Sequence, residues 1–149
     1  MTDHVPVSMP VPARLLGLGG LMPFAFLCVA ATLDVPRRPF WVHAEIAYGA
    51  VILSFVGALH WAFAMLLPID SHTQRWAMFG WSVVPALVAW VALLMPAQAA
   101  LISLIGLFAL HFRVDMLLAY RHRLPAWYLP LRVALTAGAV LSLLLTLFS

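Results

Sequence analysis

The chain has 149 residues, of which 65% are hydrophobic and 9% charged, and its formal net charge is +3. Soluble domains carry about 25% charged residues, and a soluble fold of this length could not bury so much apolar surface, so that class is excluded. The scattered positive charge does not form a nucleic-acid-binding patch, and the single Cys28 excludes an internal disulfide or a CxxC centre.

Five apolar segments predict the fold. Residues 1–12 are polar or proline-rich and are expected to form a flexible segment ahead of one transmembrane domain at 13–149. A membrane-spanning helix needs about 20 mostly apolar residues. The segments that reach this length are approximately 14–33, 44–67, 76–95, 97–120 and 127–148. They predict an all-α integral membrane bundle of five transmembrane helices.

Prolines mark the boundaries between these segments. Pro36 and Pro39 stand among charged residues after the first segment, a combination that ends a helix in hydrocarbon. Pro96 separates the third and fourth segments. Without a turn there, one helix would be about 67 Å long, roughly twice the hydrocarbon thickness. The count of five spans therefore depends on a hairpin at Pro96.

Arginines predict the orientation of the bundle. One set of helix ends carries Arg14, Arg75, Arg121 and Arg123, and the opposite set carries only Arg37 and Arg38. By the positive-inside rule, we expect a cytoplasmic N-terminus and a C-terminus on the opposite side, in a bacterial inner (cytoplasmic) membrane. The residues expected to bind anionic lipid headgroups at the interface are Arg121, Arg123, Trp127 and Tyr128.

Small residues on the second segment predict the closest helix contact. Close packing of small side chains is a main source of helix association in lipid. The stripe expected to face a neighbouring helix consists of Ala50, Ser54, Ala58 and Ala62, with Gly57 beside it.

Ionisable residues inside the spans are the candidate functional residues. Counted from the arginine-rich ends, four of them fall at similar depth: His60, His111, Asp115 and Arg132. His111 and Asp115 are four residues apart and share a helix face. We expect these groups to form a buried polar cluster that Trp61 joins. Glu45 is interpreted as an end cap in the first turn of its helix, with arginines as partners.

Several interpretations of this cluster stay open. Asp115 and Arg132 can form a purely structural pair. A proton or quinone site would use His60, His111 and Asp115, and a b-type haem would take the two histidines as axial ligands. Neither an HExxH motif nor a Ser-His-Asp set is present, so no catalytic residue and no metal ligand is predicted.

Three stretches resemble a known family. They are PARLLGLGGLMPF at 12–24, YGAVILSFVGALHW at 48–61 and LPAWYLPLR at 124–132. The chain thereby resembles the uncharacterised domain-of-unknown-function 3429 (transmembrane protein 69-like) membrane family. The resemblance implies a small multi-span protein of bacterial inner membranes or mitochondria, and it implies no reaction. It points to His60, Trp61, Trp127, Tyr128 and Arg132.

The sequence favours a non-catalytic accessory, scaffold or assembly subunit of an energy-transducing membrane. The expected partners are the lipid bilayer, anionic lipids, and other membrane proteins or a second copy, without nucleic acid. The alternatives are a small proton-coupled transporter and a haem- or quinone-binding protein that uses His60, His111 and Asp115.

Overall fold

The protein is a bundle of long helices. The computed structural model describes residues 8–122 and 124–149. In this part of the chain a 3₁₀ turn at Val35–Arg37 accompanies the α-helices α1 (Val11–Gly19), α2 (Leu21–Leu33), α3 (Arg38–Leu66), α4 (His72–Leu93), α5 (Ala97–His122) and α6 (Tyr128–Phe148). Because α1 and α2 together form one span, five segments are long and apolar enough to cross a membrane. The predicted all-α membrane bundle of five helices is confirmed.

The first span is interrupted between α1 and α2 at Gly20. Pro23 explains the position, because its ring clashes with the carbonyl four residues earlier, that of Gly19, and offers it no N–H. Beside the break, the Tyr48 hydroxyl donates a hydrogen bond to the Gly20 carbonyl (2.8 Å). A side chain of α3 thus holds the interrupted span against the bundle.

The helix α3 begins six residues earlier than the sequence predicted. Pro39 lies in its first turn, where a missing N–H costs no intrahelical hydrogen bond. The 29 residues of α3 extend about 44 Å at 1.5 Å per residue, more than the roughly 30 Å of a hydrocarbon core. Glu45 therefore lies two turns inside α3 and not in its first turn, which changes its role.

The turn at Pro96 is present. The helix α4 ends at Leu93 and α5 begins at Ala97, so the two spans form a tight hairpin, as predicted. At its other end α4 is capped by Ser71, whose hydroxyl accepts a hydrogen bond from the Gln74 backbone N–H (3.4 Å).

The helix α3 lies in the middle of the bundle. It packs against α2, α4 and α5, while α6 fills the space between α2 and α5. The apolar core runs through these contacts, and Phe24, Leu53, Leu104 and Leu143 are its largest fully buried hydrophobic side chains. Side chains from four helices therefore point toward one interior.

The predicted small-residue stripe on α3 is wrong in its second half. Ala50 and Gly57 are buried, but Ala58 and Ala62 are exposed and Ser54 is half-buried. A spacing of four residues drifts by about 40° per step around a helix with 3.6 residues per turn, so the stripe leaves the interface. The close contact is at Gly57, where an added Cβ would lie 3.1 Å from the Cβ and Cγ of Pro85.

Candidate functional site

A buried ion pair joins α5 to α6. The side chains of Asp115 and Arg132 are 1% and 7% exposed, and Arg132 Nε donates to Asp115 Oδ2 at 2.5 Å. The Tyr128 hydroxyl donates to the other carboxylate oxygen, Oδ1, at 3.2 Å. Tyr128 and Arg132 are four residues apart, so both project from one face of α6. A charge placed inside a spanning helix is thereby matched by a cation and a hydroxyl.

Two histidines approach the same carboxylate from α3 and α5. His60 Nε2 lies 3.6 Å and His111 Nε2 3.9 Å from Asp115 Oδ1. Both distances exceed a normal N–H···O hydrogen bond. Both imidazoles are 1% exposed. We call His60, His111, Asp115, Tyr128 and Arg132 the Asp115 cluster.

Trp81 of α4 fixes the orientation of one histidine. Its indole Nε1 donates to His111 Nδ1 at 3.2 Å. An indole N–H is only a donor, so His111 Nδ1 is the acceptor and the proton of the neutral ring is on Nε2, facing Asp115. Trp81 thus connects α4 to the Asp115 cluster through His111.

The cluster suits a hydrogen-bonding group better than a metal ion. Ligand atoms of His60, His111 and Asp115 lie within 4.8 Å of one another. However, a metal needs the lone pair of a histidine nitrogen, while the other nitrogen usually donates its proton to a neighbour. Here the lone pair of His111 already serves Trp81, and Asp115 is paired with Arg132.

A haem between the two histidines does not fit this geometry. The rings of His60 and His111 are in edge-to-face contact, with centroids 4.8 Å apart. Axial ligands bind opposite faces of a porphyrin and cannot touch each other across it. The two histidines therefore do not form an axial pair.

Two predicted assignments are wrong. Trp61 does not join the cluster: it is 50% exposed and packs edge-on against Phe79, because adjacent residues point about 100° apart on a helix. Tyr128 is buried with its hydroxyl on Asp115 and does not face lipid headgroups. Of the remaining predicted headgroup residues, Arg121 is exposed and Trp127 half-buried, while Arg123 lies outside the described residues.

A second buried carboxylate lies at the opposite end of α3. Glu45 is fully buried, and its oxygens lie within hydrogen-bond distance of Ser142 Oγ (2.7 Å) and Thr146 Oγ1 (2.5 Å) of α6. Glu45 and His60 are 15 residues apart, about 22 Å along the helix. Among the described residues, the buried charged and histidine side chains therefore form two separate clusters, one toward each end of α3.

The hydrogen bonds of Ser142 constrain Glu45. Ser142 Oγ is within reach of two acceptors, the Phe24 carbonyl (2.8 Å) and Glu45 Oε1 (2.7 Å). A serine hydroxyl has one proton to donate. Both contacts are hydrogen bonds only when Glu45 carries a proton and donates it to Ser142. One sequence pattern points to this cluster: Ser142 and Thr146 share a face of α6 at the depth of Glu45.

Comparisons with known proteins agree with this architecture. The family model described as "Protein of unknown function (DUF3429)" matches residues 9–148. Transmembrane protein 69 of Xenopus tropicalis is 40% identical over 139 residues, covering 90% of this chain and 53% of the relative. Transmembrane protein 69 of Mus musculus is 32% identical over 146 residues, covering 95% and 57%. The chain thus spans about half the length of these relatives. No solved structure matches.

Proposed function

This chain belongs to the DUF3429 family, and we propose that it is an accessory, scaffold or assembly subunit of an energy-transducing membrane. It is a multi-pass membrane protein, and its family has no established function. The single observation that carries the proposal is the set of small residues on the outward faces of the spanning helices.

Three glycines illustrate this outward surface. A Cβ added at Gly19, Gly80 or Gly106 would meet nothing within 4 Å. Contact with lipid alone gives no reason for glycine, whereas glycine and alanine let a neighbouring helix approach closely. The exposed Ala58 and Ala62 of α3 are further small residues on the outer surface that would allow such close approach. We therefore propose that helices of another membrane protein, or of a second copy, pack on this surface.

The proposed location is a bacterial inner (cytoplasmic) membrane with the N-terminus in the cytoplasm. Arg14, Arg75 and Arg121 belong to the same set of helix ends, and arginine-rich ends face the cytoplasm. Anionic headgroups are the proposed contacts of the exposed Arg121 and the half-buried Trp127.

Blue-native electrophoresis of solubilised native membranes tests the accessory role. We expect wild type to migrate in a defined assembly with a second membrane protein, and at least one of Gly19→Leu, Gly80→Leu and Gly106→Leu to release it. The unaffected glycine variants serve as matched controls, since a Cβ added at any of the three positions meets nothing within 4 Å. Migration as a free monomer or homo-oligomer in every detergent, unchanged in all three variants, would contradict the proposal.

Proton-coupled transport is a second candidate, favoured by the cavity between the two polar clusters. This cavity of about 110 Å³ is lined by Arg132 and Thr136 among apolar residues. The buried Thr136 hydroxyl has no hydrogen-bond partner in the described residues. The test is pH flux into proteoliposomes with wild type and Asp115→Asn. Flux that is lost in the variant supports transport, and the absence of flux in wild type eliminates it.

A further inference from the structure

A crevice of about 300 Å³ opens between α4 and α5, beside the Asp115 cluster. Arg121 lies at the helix ends and marks its mouth, whereas Trp81 and His60 lie about two turns deeper. Gln74 and His122 lie near the helix ends with Arg121, and the deeper walls are mostly apolar and include Ala77, Met78 and Leu117. The volume is at the lower end of the range for small-molecule sites.

His60 is the unusual residue of this crevice. It lines the cavity, its side chain is 1% exposed, and neither ring nitrogen has a hydrogen-bond partner among the described residues. Buried polar side-chain atoms are normally hydrogen-bonded. The carboxylate oxygen Asp115 Oδ1 is 3.6 Å from His60 Nε2, beyond normal hydrogen-bond length. A ligand atom in the crevice would complete the hydrogen bonding of His60.

The surroundings of His60 select the chemistry of that ligand. The charges of Asp115 and Arg132 balance each other beside it, and Arg121 lies about two turns away at the mouth. An ion of either sign bound next to His60 would therefore be uncompensated. A lipid acyl chain would leave the imidazole unpaired. The ligand must therefore be uncharged and must offer a hydrogen-bond acceptor to His60. A flat neutral ring with a carbonyl oxygen meets both requirements, because the carbonyl accepts from the imidazole N–H while the ring packs against Trp81 and Met78.

We propose that the crevice between α4 and α5 binds the ring of a membrane quinone, with His60 donating a hydrogen bond to a ring carbonyl. This binding site goes beyond the accessory role proposed above and does not depend on it. No electron transfer is part of the proposal.

The test is to titrate the full chain, in lipid nanodiscs, with decylubiquinone. Binding is measured as the quenching of tryptophan fluorescence. We expect saturable quenching in wild type. His60→Leu should weaken binding about tenfold or more, the scale of one lost hydrogen bond, whereas His60→Gln keeps a donor and should retain most of the affinity.

A second pair of variants separates binding from folding. Ala77→Phe fills the crevice, while Ala134→Phe makes the same change at an exposed position of α6 outside it. We expect Ala77→Phe to abolish saturable quenching with an unchanged melting temperature, and Ala134→Phe to behave as wild type. Unsaturable quenching in wild type, or equal affinity in wild type, His60→Leu and Ala77→Phe, would overturn the proposal.

Discussion

Among the residues that the structure describes, two carboxylates are buried, and different groups stabilise each of them. Asp115 is paired with the cation of Arg132, whereas Glu45 is bonded only to the hydroxyls of Ser142 and Thr146. An ionised carboxylate without a cation is costly in a membrane interior. The hydrogen-bond geometry of Ser142 agrees with a Glu45 that carries a proton, so the two acids differ in state as well as in partners.

Glutamine is therefore expected to replace Glu45 at little cost. Its amide donates to Ser142 and accepts from Thr146 as the protonated acid does, so the free energy of unfolding in detergent should change by less than about 0.5 kcal/mol. Glu45→Ala leaves the Thr146 hydroxyl without its acceptor and the Ser142 oxygen without its donor, and should cost about 1–3 kcal/mol. Infrared difference spectra should show a protonated-carboxyl band that is lost in Glu45→Gln. A Glu45→Gln variant as unstable as Glu45→Ala would refute a protonated Glu45.

Residue-level prediction from the sequence was accurate for depth and poor for direction. The depths of His60, His111, Asp115 and Arg132 follow from counting along helices, and the structure brings all four together. Trp61 and Tyr128 were misplaced because the rotation of a helix about its axis is set by its neighbours, which sequence spacing alone does not describe. Two side chains at the same depth that are about 100° apart around the helix axis face different neighbours.

At the scale of helices, prolines explain both the successes and the errors. The hairpin at Pro96 was predictable because a continuous helix would exceed the bilayer. The start of α3 was not, because Pro39 ends one helix or begins another with equal ease. Because the start of α3 was predicted too late, Glu45 was expected at a helix end, whereas it lies two turns inside α3. The second polar cluster was therefore not predicted.

The absence of a side chain at Gly57 should allow α3 and α4 to approach closely at Pro85. In Gly57→Ala the new methyl would lie 3.1 Å from Pro85 and from the Ser82 carbonyl, so the helices must separate at a cost of about 1–3 kcal/mol. The matched change Gly106→Ala meets nothing and should be neutral or stabilising by up to about 1 kcal/mol. Thermal unfolding in one detergent compares the two. Equal melting temperatures for both variants would show that α3 and α4 do not pack tightly at Gly57.

At the scale of the whole molecule, the Asp115 cluster is where the bundle is joined together. His60 of α3 and Arg132 of α6 lie beside Asp115 of α5. Trp81 of α4 is connected to the cluster by its hydrogen bond to His111. Since lipid offers no hydrophobic drive between helices, such polar contacts and close packing supply the association. The interior of the molecule is thus specified by few side chains, and its outer surface is left for lipid and the proposed partner.

A double-mutant cycle between Asp115 and Arg132 tests whether the Asp115 cluster holds the bundle together. Asp115→Asn and Arg132→Gln each leave one buried charge unpaired, which should cost about 3–5 kcal/mol of unfolding free energy. The double variant contains two neutral amides, so we expect it to be more stable than either single variant. Unfolding in detergent micelles measures all four proteins. Single effects that are small, or that simply add in the double variant, would contradict a bundle held together at Asp115.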